Sequence, residues 1–155
     1  GTYTSPYVIK FNERISYNNE YISDEDLLKY GNLIISKYEL IEESGHELPG
    51  FFEFITLLAF LYFANLNIDI AIIEVGIGGR LDATNVITPI ASVITSVGLD
   101  HIEQLGNSKE LILNEKLGIV KNEVPLFTAV KEESLINQIL CLKIFSNAMP
   151  SIVEV

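Results

Sequence analysis

The sequence predicts an α/β fold, in which a mostly parallel sheet is flanked by helices. Three short apolar runs carry this prediction, at residues 68–75, 90–97 and 124–130. Runs of this length that are apolar on both faces are typical of parallel strands covered by helices on both sides. A helical pattern over about residues 109–120 separates the second run from the third. This order gives a strand–helix–strand crossover, which is right-handed on general grounds.

The segment before these runs predicts an extended arm followed by two helices. Residues 7–17 alternate roughly between apolar and polar side chains and lead to the turn signal Asn18-Asn19-Glu20, so a strand or extended arm is expected. Ser23, followed by three acidic residues, predicts a capped helix that runs to about residue 43. Residues 51–66 predict a second helix, which is apolar on most faces and is therefore expected to be buried.

Candidate functional residues follow the ends of the predicted strands, where open α/β sheets bind ligands. Glu74 ends the first run, as the magnesium-binding acid of a Walker B strand does, although a solvated acid is the simpler interpretation of this residue alone. The segment 76–89 that follows is rich in Gly and Asn, and an irregular loop of that size is more often functional than not. His101 follows the second run, and Lys116 lies in the middle of the predicted helix. The default for each of them alone is a structural or exposed residue.

Two common nucleotide-binding motifs are absent from the sequence. Leu81 occupies the position where the dinucleotide motif G-x-G-x-x-G requires its last glycine, and no G-x-x-x-x-G-K-[ST] loop occurs. The glycines at 76, 78 and 79 instead allow the backbone to turn sharply and to approach a ligand closely. Cys141 is the single cysteine, which excludes an intrachain disulfide and a cysteine-based metal cluster.

Composition and net charge limit the kinds of molecule that this protein is expected to bind. The net charge is −11, from 21 acidic and 10 basic residues, which argues against a nucleic-acid binder. It is compatible with nucleotide binding, because a metal ion and backbone amides can hold a phosphate tail. The most apolar stretch, residues 51–66, is interrupted by polar residues and is shorter than the roughly 20 residues that a membrane-spanning helix needs. We therefore expect no nucleic-acid or membrane partner, and a cytoplasmic location.

The C-terminal residues predict a separate tail. Ser146-Asn147-Ala148-Met149 matches a common vector-derived leader that remains after tag cleavage, and coincidence is the alternative. We expect one partial domain over residues 1–145, followed by a cloning-derived or misplaced tail over residues 146–155.

Five collinear blocks together resemble the folylpolyglutamate synthase/dihydrofolate synthase branch of the Mur ligase family. They are TSPYVIKFNERI (4–15), FFEFITLLAFLYFA (51–64), DIAIIEVGIGGRLDATNVI (69–87), SVITSVGLDHIEQLG (92–106) and EKLGIVKNEVPLFT (115–128). The EVGIGGRLDATN block distinguishes this branch from the cell-wall Mur ligases. The resemblance implies an incomplete P-loop NTPase-like central domain. The P-loop is expected upstream of Gly1 and a further domain downstream.

The resemblance also implies a reaction. MgATP phosphorylates a folate or pteroate carboxylate, and the amine of L-glutamate attacks the acyl phosphate to give an amide, ADP and phosphate. The implied ligands are therefore Mg²⁺, ATP, folate or dihydropteroate, and L-glutamate, and the full-length enzyme is expected to be a monomer. The present chain alone is expected to be inactive. Two alternatives remain open: another Mur-type ligase with a different acyl acceptor, and a non-catalytic module that has lost its P-loop.

Site residues follow from the resemblance position by position. Ser5, Glu74 and His101 match Mg²⁺ ligands of the family. Lys116 matches a lysine that is carbamylated, which turns a cation into an anion able to hold a second metal ion. The positions that match the pterin pocket are Phe52, Glu53, Leu81, Asp82 and Ala83. An aromatic ring suits a flat heterocycle by stacking, and an aspartate accepts hydrogen bonds from its N–H groups. The chain departs from the common family residues at Tyr7, Gly50 and Leu117.

Overall fold

In a computed structural model of the chain, residues 1–146 and 149–152 are described, with side chains as far as residue 141. The chain forms two compact units, Gly1–Gly76 and Ile77–Val155. Strands and helices occur in both units, which agrees with the predicted α/β class.

The first unit contains a four-stranded sheet in the order β3-β2-β1-β4. Its strands are β1 (Thr2–Tyr3), β2 (Ile15–Tyr17), β3 (Glu20–Tyr21) and β4 (Ile72–Ile73). Strand β1 pairs with β2 in antiparallel and with β4 in parallel orientation. Because β1 and β4 run in parallel, the segments that follow them leave the sheet at the same edge.

Only the end of the predicted extended arm, residues 15–17, forms a strand. Residues Phe11–Arg14 form a 3-10 helix, and the strand begins only at Ile15. The turn at Asn18 and Asn19 is confirmed, with φ values of 49° and 66°. Asparagine is among the few residues with a side chain that adopt this left-handed conformation readily, which explains the pair at the β2–β3 hairpin.

Three helices complete the first unit: α1 (Asp24–Ile35), α2 (Tyr38–Glu43) and α3 (Phe51–Leu66). The cap at Ser23 is confirmed, since its hydroxyl accepts a hydrogen bond from the Asp26 amide. The prediction of one helix up to residue 43 is wrong, because α1 ends at Ile35. The Ser36 hydroxyl donates to the Leu33 carbonyl, a local bond that competes with continuation of the helix. The bounds of the second predicted helix are confirmed.

Helix α3 buries one side and exposes the other. Its buried side includes Ile55, Leu58 and Phe63, which pack in a cluster with residues of α1 and the sheet. Burial raises the pKa of the Tyr62 phenol in the same cluster. Phe51 is 65% exposed at the other side, so the prediction of a helix buried on most faces is wrong for that side. None of the described helices is long and apolar enough to cross a membrane.

The second unit contains a parallel sheet in the order β5-β6-β7. Its strands are β5 (Ser92–Ile94), β6 (Pro125–Thr128) and β7 (Met149–Ile152). The helices are α4 (Ile102–Leu105), α5 (Lys109–Lys116) and α6 (Glu133–Ser146), and a 3-10 helix covers Leu117–Ile119. Strands β5 and β6 pair in parallel with α5 between them in sequence, which confirms the predicted crossover. Each strand is shorter than its apolar run.

The predicted tail is only partly described. Strand β7 pairs in parallel with β6, with Leu126 opposite Pro150. Residues 147–148 and 153–155 lie outside the described part of the chain. The origin of this tail therefore stays a prediction.

Candidate active site

Ser5 and Glu74 lie together at one edge of the first sheet. The Glu74 amide donates to the Tyr3 carbonyl at 2.9 Å, which extends the β1–β4 pairing by one residue beyond the strand. The Ser5 amide then donates to Glu74 Oε2 at 2.7 Å. The parallel pairing of β1 and β4 thus brings two of the predicted metal ligands together, and it leaves the Glu74 side chain exposed.

The segment after Ser5 is organised by one carboxylate. Glu13 accepts hydrogen bonds from three successive amides, those of Val8 at 2.9 Å, Ile9 at 3.2 Å and Lys10 at 2.8 Å. The amides of Val8 and Lys10, with a smaller contribution from Ile9, hold the pKa of the Glu13 carboxyl below its usual value of 4.5. Sequence analysis missed this role of Glu13. The only signal in the sequence was that a glutamate lies three, four and five positions after Lys10, Ile9 and Val8.

The depressed pKa predicts an acid-dependent loosening of residues 8–10. The charged form of Glu13 stabilises the fold at pH values above 4.5, and this contribution is lost as the pH falls through the lower folded pKa. We expect amide protection at Val8 and Lys10 to fall over that acidic range, as measured by hydrogen exchange. Glu13→Ala, which has no side-chain acceptor for these amides, should show low protection at neutral pH and no change in this range. Equal protection in both proteins at pH 7 would contradict the assignment.

Arg14 connects this segment to the start of α3. Its guanidinium carbon lies 5.5 Å from the Tyr7 ring centroid, 5.8 Å from that of Phe11 and 6.0 Å from that of Phe51. The residue is buried, and Nε has no hydrogen-bond partner among the described residues. The three rings lie at distances from the guanidinium that are typical of cation–π contacts.

Phe52 and Glu53, predicted to line the pterin pocket, lie in the first turn of α3. The Phe52 ring is half-buried, with its centroid 6.1 Å from that of Tyr3. The Glu53 carboxylate accepts a hydrogen bond from the Gly50 amide at 2.7 Å. Glu53 thus caps its own helix, in the manner of the acidic member of a capping box. Contact of either residue with a pterin stays a prediction.

Leu81 and Asp82 lie in a loop of the second unit, and Ala83 begins the 3-10 helix that follows it. Leu81 is 92% exposed. Asp82 Oδ2 accepts from the Ile77 amide at 3.0 Å, and Oδ1 accepts from the Thr84 amide at 2.9 Å. Asp82 therefore fixes the loop shape and caps the 3-10 helix Ala83–Val86.

This loop is attached closely to the C-terminal end of α5. The Arg80 amide donates to the Glu115 carbonyl at 2.9 Å, and Arg80 Nη2 donates to the Asn114 carbonyl, also at 2.9 Å. Arg80 Nε is 3.2 Å from Glu115 Oε1 in an ion pair. Two glycines permit this approach: a Cβ at Gly79 would lie 2.8 Å from the Glu115 carbonyl oxygen, and one at Gly118 would lie 2.3 Å from Arg80 Cα.

Asn85 and Lys121 add a second attachment. Asn85 Nδ2 donates to the Arg80 carbonyl at 2.9 Å and to the Gly118 carbonyl at 3.1 Å. Lys121 Nζ donates to Asn85 Oδ1 at 2.7 Å. The sequence marks Arg80 only as a charge in a glycine-rich loop and gives no signal for Asn85 or Lys121. The bonds that join these residues to the region around the end of α5 span more than 30 positions.

Lys116 is the last residue of α5, so the prediction that it lies in the middle of a helix is wrong. The chain tightens at Leu117–Ile119 into a 3-10 helix, a common way to end an α-helix. Lys116 is half-buried, and its carbonyl oxygen is one of the atoms that a Cβ at Gly79 would meet, at 2.8 Å. The predicted lysine therefore adjoins the predicted pterin loop within the second unit.

His101 lies just before α4, with a left-handed φ of 50°. Its amide donates to Asp100 Oδ1 at 2.8 Å, and its Nε2 lies 3.8 Å from Asp100 Oδ2. Asp100 is a further candidate that sequence analysis did not name, since a carboxylate beside an imidazole can orient it for metal binding. Among the described residues, no group of three or more His, Cys, Asp or Glu side chains could alone hold a metal ion.

Comparisons with known proteins identify relatives of the chain. The chain is 47% identical over 133 residues to a dihydrofolate synthase/folylpolyglutamate synthase of Bacillus subtilis, covering 85% of the chain and 31% of that protein. It is 43% identical over 129 residues to a folylpolyglutamate synthase of Lacticaseibacillus casei, covering 83% of the chain and 30% of that protein. The chain thus spans about a third of the length of these curated relatives. No protein-family model matches it.

Comparison with solved structures identifies the fold, and the curated relatives identify the family within it. A folylpolyglutamate synthase–AMPPCP complex matches 98% of the chain and 38% of its own chain, with a TM-score of 0.92 and 37% identity. A folylpolyglutamate synthase–AMPPCP–folate complex matches 98% of the chain and 37% of its own, with a TM-score of 0.91 and 36% identity. The chain therefore has the Mur ligase fold. Within that class it belongs to the folylpolyglutamate synthase/dihydrofolate synthase family.

Proposed function

We propose that the full-length protein is an ATP-dependent amide ligase that adds L-glutamate to a folate. The observation that supports this most strongly is the match of nearly the whole chain to the complex named for AMPPCP and folate. Dihydrofolate synthesis from dihydropteroate is included in the proposal, because the Bacillus subtilis relative carries both names. A cytoplasmic location and a monomeric full-length enzyme are part of the same proposal.

The oxygen donors of the first unit fit a magnesium ion. Glu74 offers an exposed carboxylate, and the Ser5 amide lies against it, so we propose the serine hydroxyl as a second oxygen ligand. Mg²⁺ in nucleotide enzymes is usually held by one or two protein oxygens, with water and substrate phosphates as its other ligands. We assign Ser5, Glu74 and His101 to magnesium and a carbamylated Lys116 to a second metal ion. When bound, these ions would neutralise the transferring phosphoryl group.

The proposed reaction has two balanced steps. A carboxylate oxygen of the folate attacks the γ-phosphorus of ATP, and ADP leaves with the electron pair of the broken P–O bond. The amine of L-glutamate then attacks the acyl carbon and loses a proton, and phosphate leaves with one oxygen from the folate carboxylate. Phe52, Glu53 and residues 81–83 are proposed to hold the pterin, so that the reacting carboxylate is positioned for both attacks.

An oxygen-labelling assay of the full-length enzyme tests this function. ADP release should require both folate and L-glutamate, and folate labelled with ¹⁸O in its carboxylate should deliver one labelled oxygen to inorganic phosphate. This 155-residue chain alone should release no ADP, because its sequence contains no Walker-type phosphate loop. Folate-dependent ADP release that transfers no label would contradict the acyl phosphate. Absence of nucleotide hydrolysis by the full-length protein with any folate would favour the non-catalytic alternative.

A further inference from the structure

We propose that Arg80 is a positioning residue that joins the pterin loop at residues 81–83 to the end of α5 that carries Lys116. The inference rests on the proposed function for its ligands, and on contacts within the second unit for its geometry. It assigns to Arg80 the task of keeping two parts of the active site in register. No direct contact between Arg80 and a substrate is required.

The first argument concerns the end of α5. The last four carbonyls of an α-helix have no partner within the helix and need one outside it. Arg80 serves two of them, since its amide donates to the Glu115 carbonyl and its Nη2 to the Asn114 carbonyl. The helix end before Lys116 is thus capped by a residue 34 and 35 positions earlier in the chain.

Charge reinforces this cap. The C-terminal end of a helix carries a partial negative charge, which a cation stabilises. The Arg80 guanidinium supplies that cation, and Glu115 holds it from the side at 3.2 Å. The planar guanidinium presents Nε and Nη2 in a fixed fork, so the two acceptors of Arg80 define its orientation as well as its position.

The second argument concerns the loop itself. Arg80 immediately precedes Leu81 and Asp82, and its carbonyl accepts a hydrogen bond from Asn85 Nδ2. The same Asn85 amide group also donates to the Gly118 carbonyl, two residues after Lys116. The loop is therefore fixed to α5 before Lys116 through Arg80 and after it through Asn85. A displacement of one segment must move the other.

Close backbone packing also joins the two segments. A Cβ at Gly79 would lie 2.8 Å from the carbonyl oxygens of both Glu115 and Lys116, and 2.9 Å from Ile119 Cγ2. Segments in such contact move as one body, because packed interiors deform little. We therefore expect folate affinity and the chemical state of Lys116 to change together when the Arg80 fork is lost.

Arg80→Lys in the full-length enzyme tests this inference, because lysine retains the charge and loses the fork. Two quantities are measured: the Kd for folate, and the fraction of Lys116 labelled by ¹³C-bicarbonate, read from the carbamate carbon signal. We expect folate affinity to fall roughly tenfold, the lower end of the range for residues that orient others. Carbamate occupancy should fall in parallel. Asn85→Ala should shift both quantities in the same direction.

Lys109→Ala is the matched control. Lys109 begins the same helix and forms an ion pair with Glu132, so its loss removes a cation from α5 without touching the loop. Neither quantity should change in this variant. A fall in only one quantity in Arg80→Lys, no change in either, or equal changes in Lys109→Ala would overturn the inference.

Hydrogen exchange separates failure of the inference from failure of the proposed function. In Arg80→Lys, amides in residues 79–85 and in Leu117–Ile119 should exchange faster to a similar degree. A parent protein that binds no folate and takes up no label contradicts the proposed function, and the exchange data then decide on Arg80. Faster exchange confined to one of the two segments would overturn the coupling.

Discussion

Glu74→Gln in the full-length enzyme is expected to lower kcat for glutamate addition by about 10²- to 10³-fold, the range seen when one stabilising group is lost from a preorganised site. Glutamine keeps the shape of the side chain and an oxygen that can still accept the 2.7 Å hydrogen bond from the Ser5 amide. It loses the negative charge, which is what a magnesium ligand in this position contributes. The edge of the sheet should therefore keep its structure while catalysis fails.

Magnesium dependence distinguishes this cause from a general disturbance. The Mg²⁺ concentration for half-maximal activity should rise in Glu74→Gln, whereas KM for folate should change little. Asp69→Asn is the matched control, because Asp69 is an exposed acid in the segment that leads into β4. Its kcat and magnesium dependence should equal those of the parent. A Glu74→Gln enzyme with the parent's magnesium dependence would remove Glu74 from the proposed metal site.

Local signals in the sequence predicted the elements of the fold well. The bounds of α3, the cap at Ser23 and the turn at Asn18 each depend on residues within a few positions of one another. The ends of α1 and α5 were predicted too late, because the chain tightens there through bonds that periodicity does not reveal. Apolar runs overestimated the strands, since an apolar residue can lie beside a strand without pairing in it.

The candidate site was predictable only in part, because the residues that contact one another in it are far apart in the sequence. Glu74 and Ser5 could be named from motifs that resemble a known family, yet their hydrogen bond spans 69 positions. Arg80, in contrast, was visible only as one charge in a glycine-rich loop. Its role depends on acceptors at Asn114 and Glu115, which no pattern in the sequence connects to it. Tertiary contacts of this kind become visible only when the packing is known.

Gly118→Ala is expected to destabilise the second unit, because the added methyl group has no space. A Cβ at this position would lie 2.3 Å from Arg80 Cα, 2.4 Å from Arg80 Cβ and 2.7 Å from Arg80 N. Two of these are backbone atoms, so no side-chain rotation can relieve the overlap. Overpacking of this kind costs about 1–3 kcal/mol. We expect urea unfolding of the chain, followed by circular dichroism, to show a loss in this range.

Gly98→Ala supplies the control for this prediction. A Cβ at Gly98 meets no atom within 4 Å, so the substitution acts only through the unfolded state, where it reduces conformational entropy. Its free energy of unfolding should equal that of the parent or exceed it by up to about 1 kcal/mol. The Gly118→Ala variant should also lose amide protection at Arg80 and Asn85, because the loop must move away from α5. Equal stability of the two variants would show that the loop does not pack against Gly118 as closely as the distances indicate.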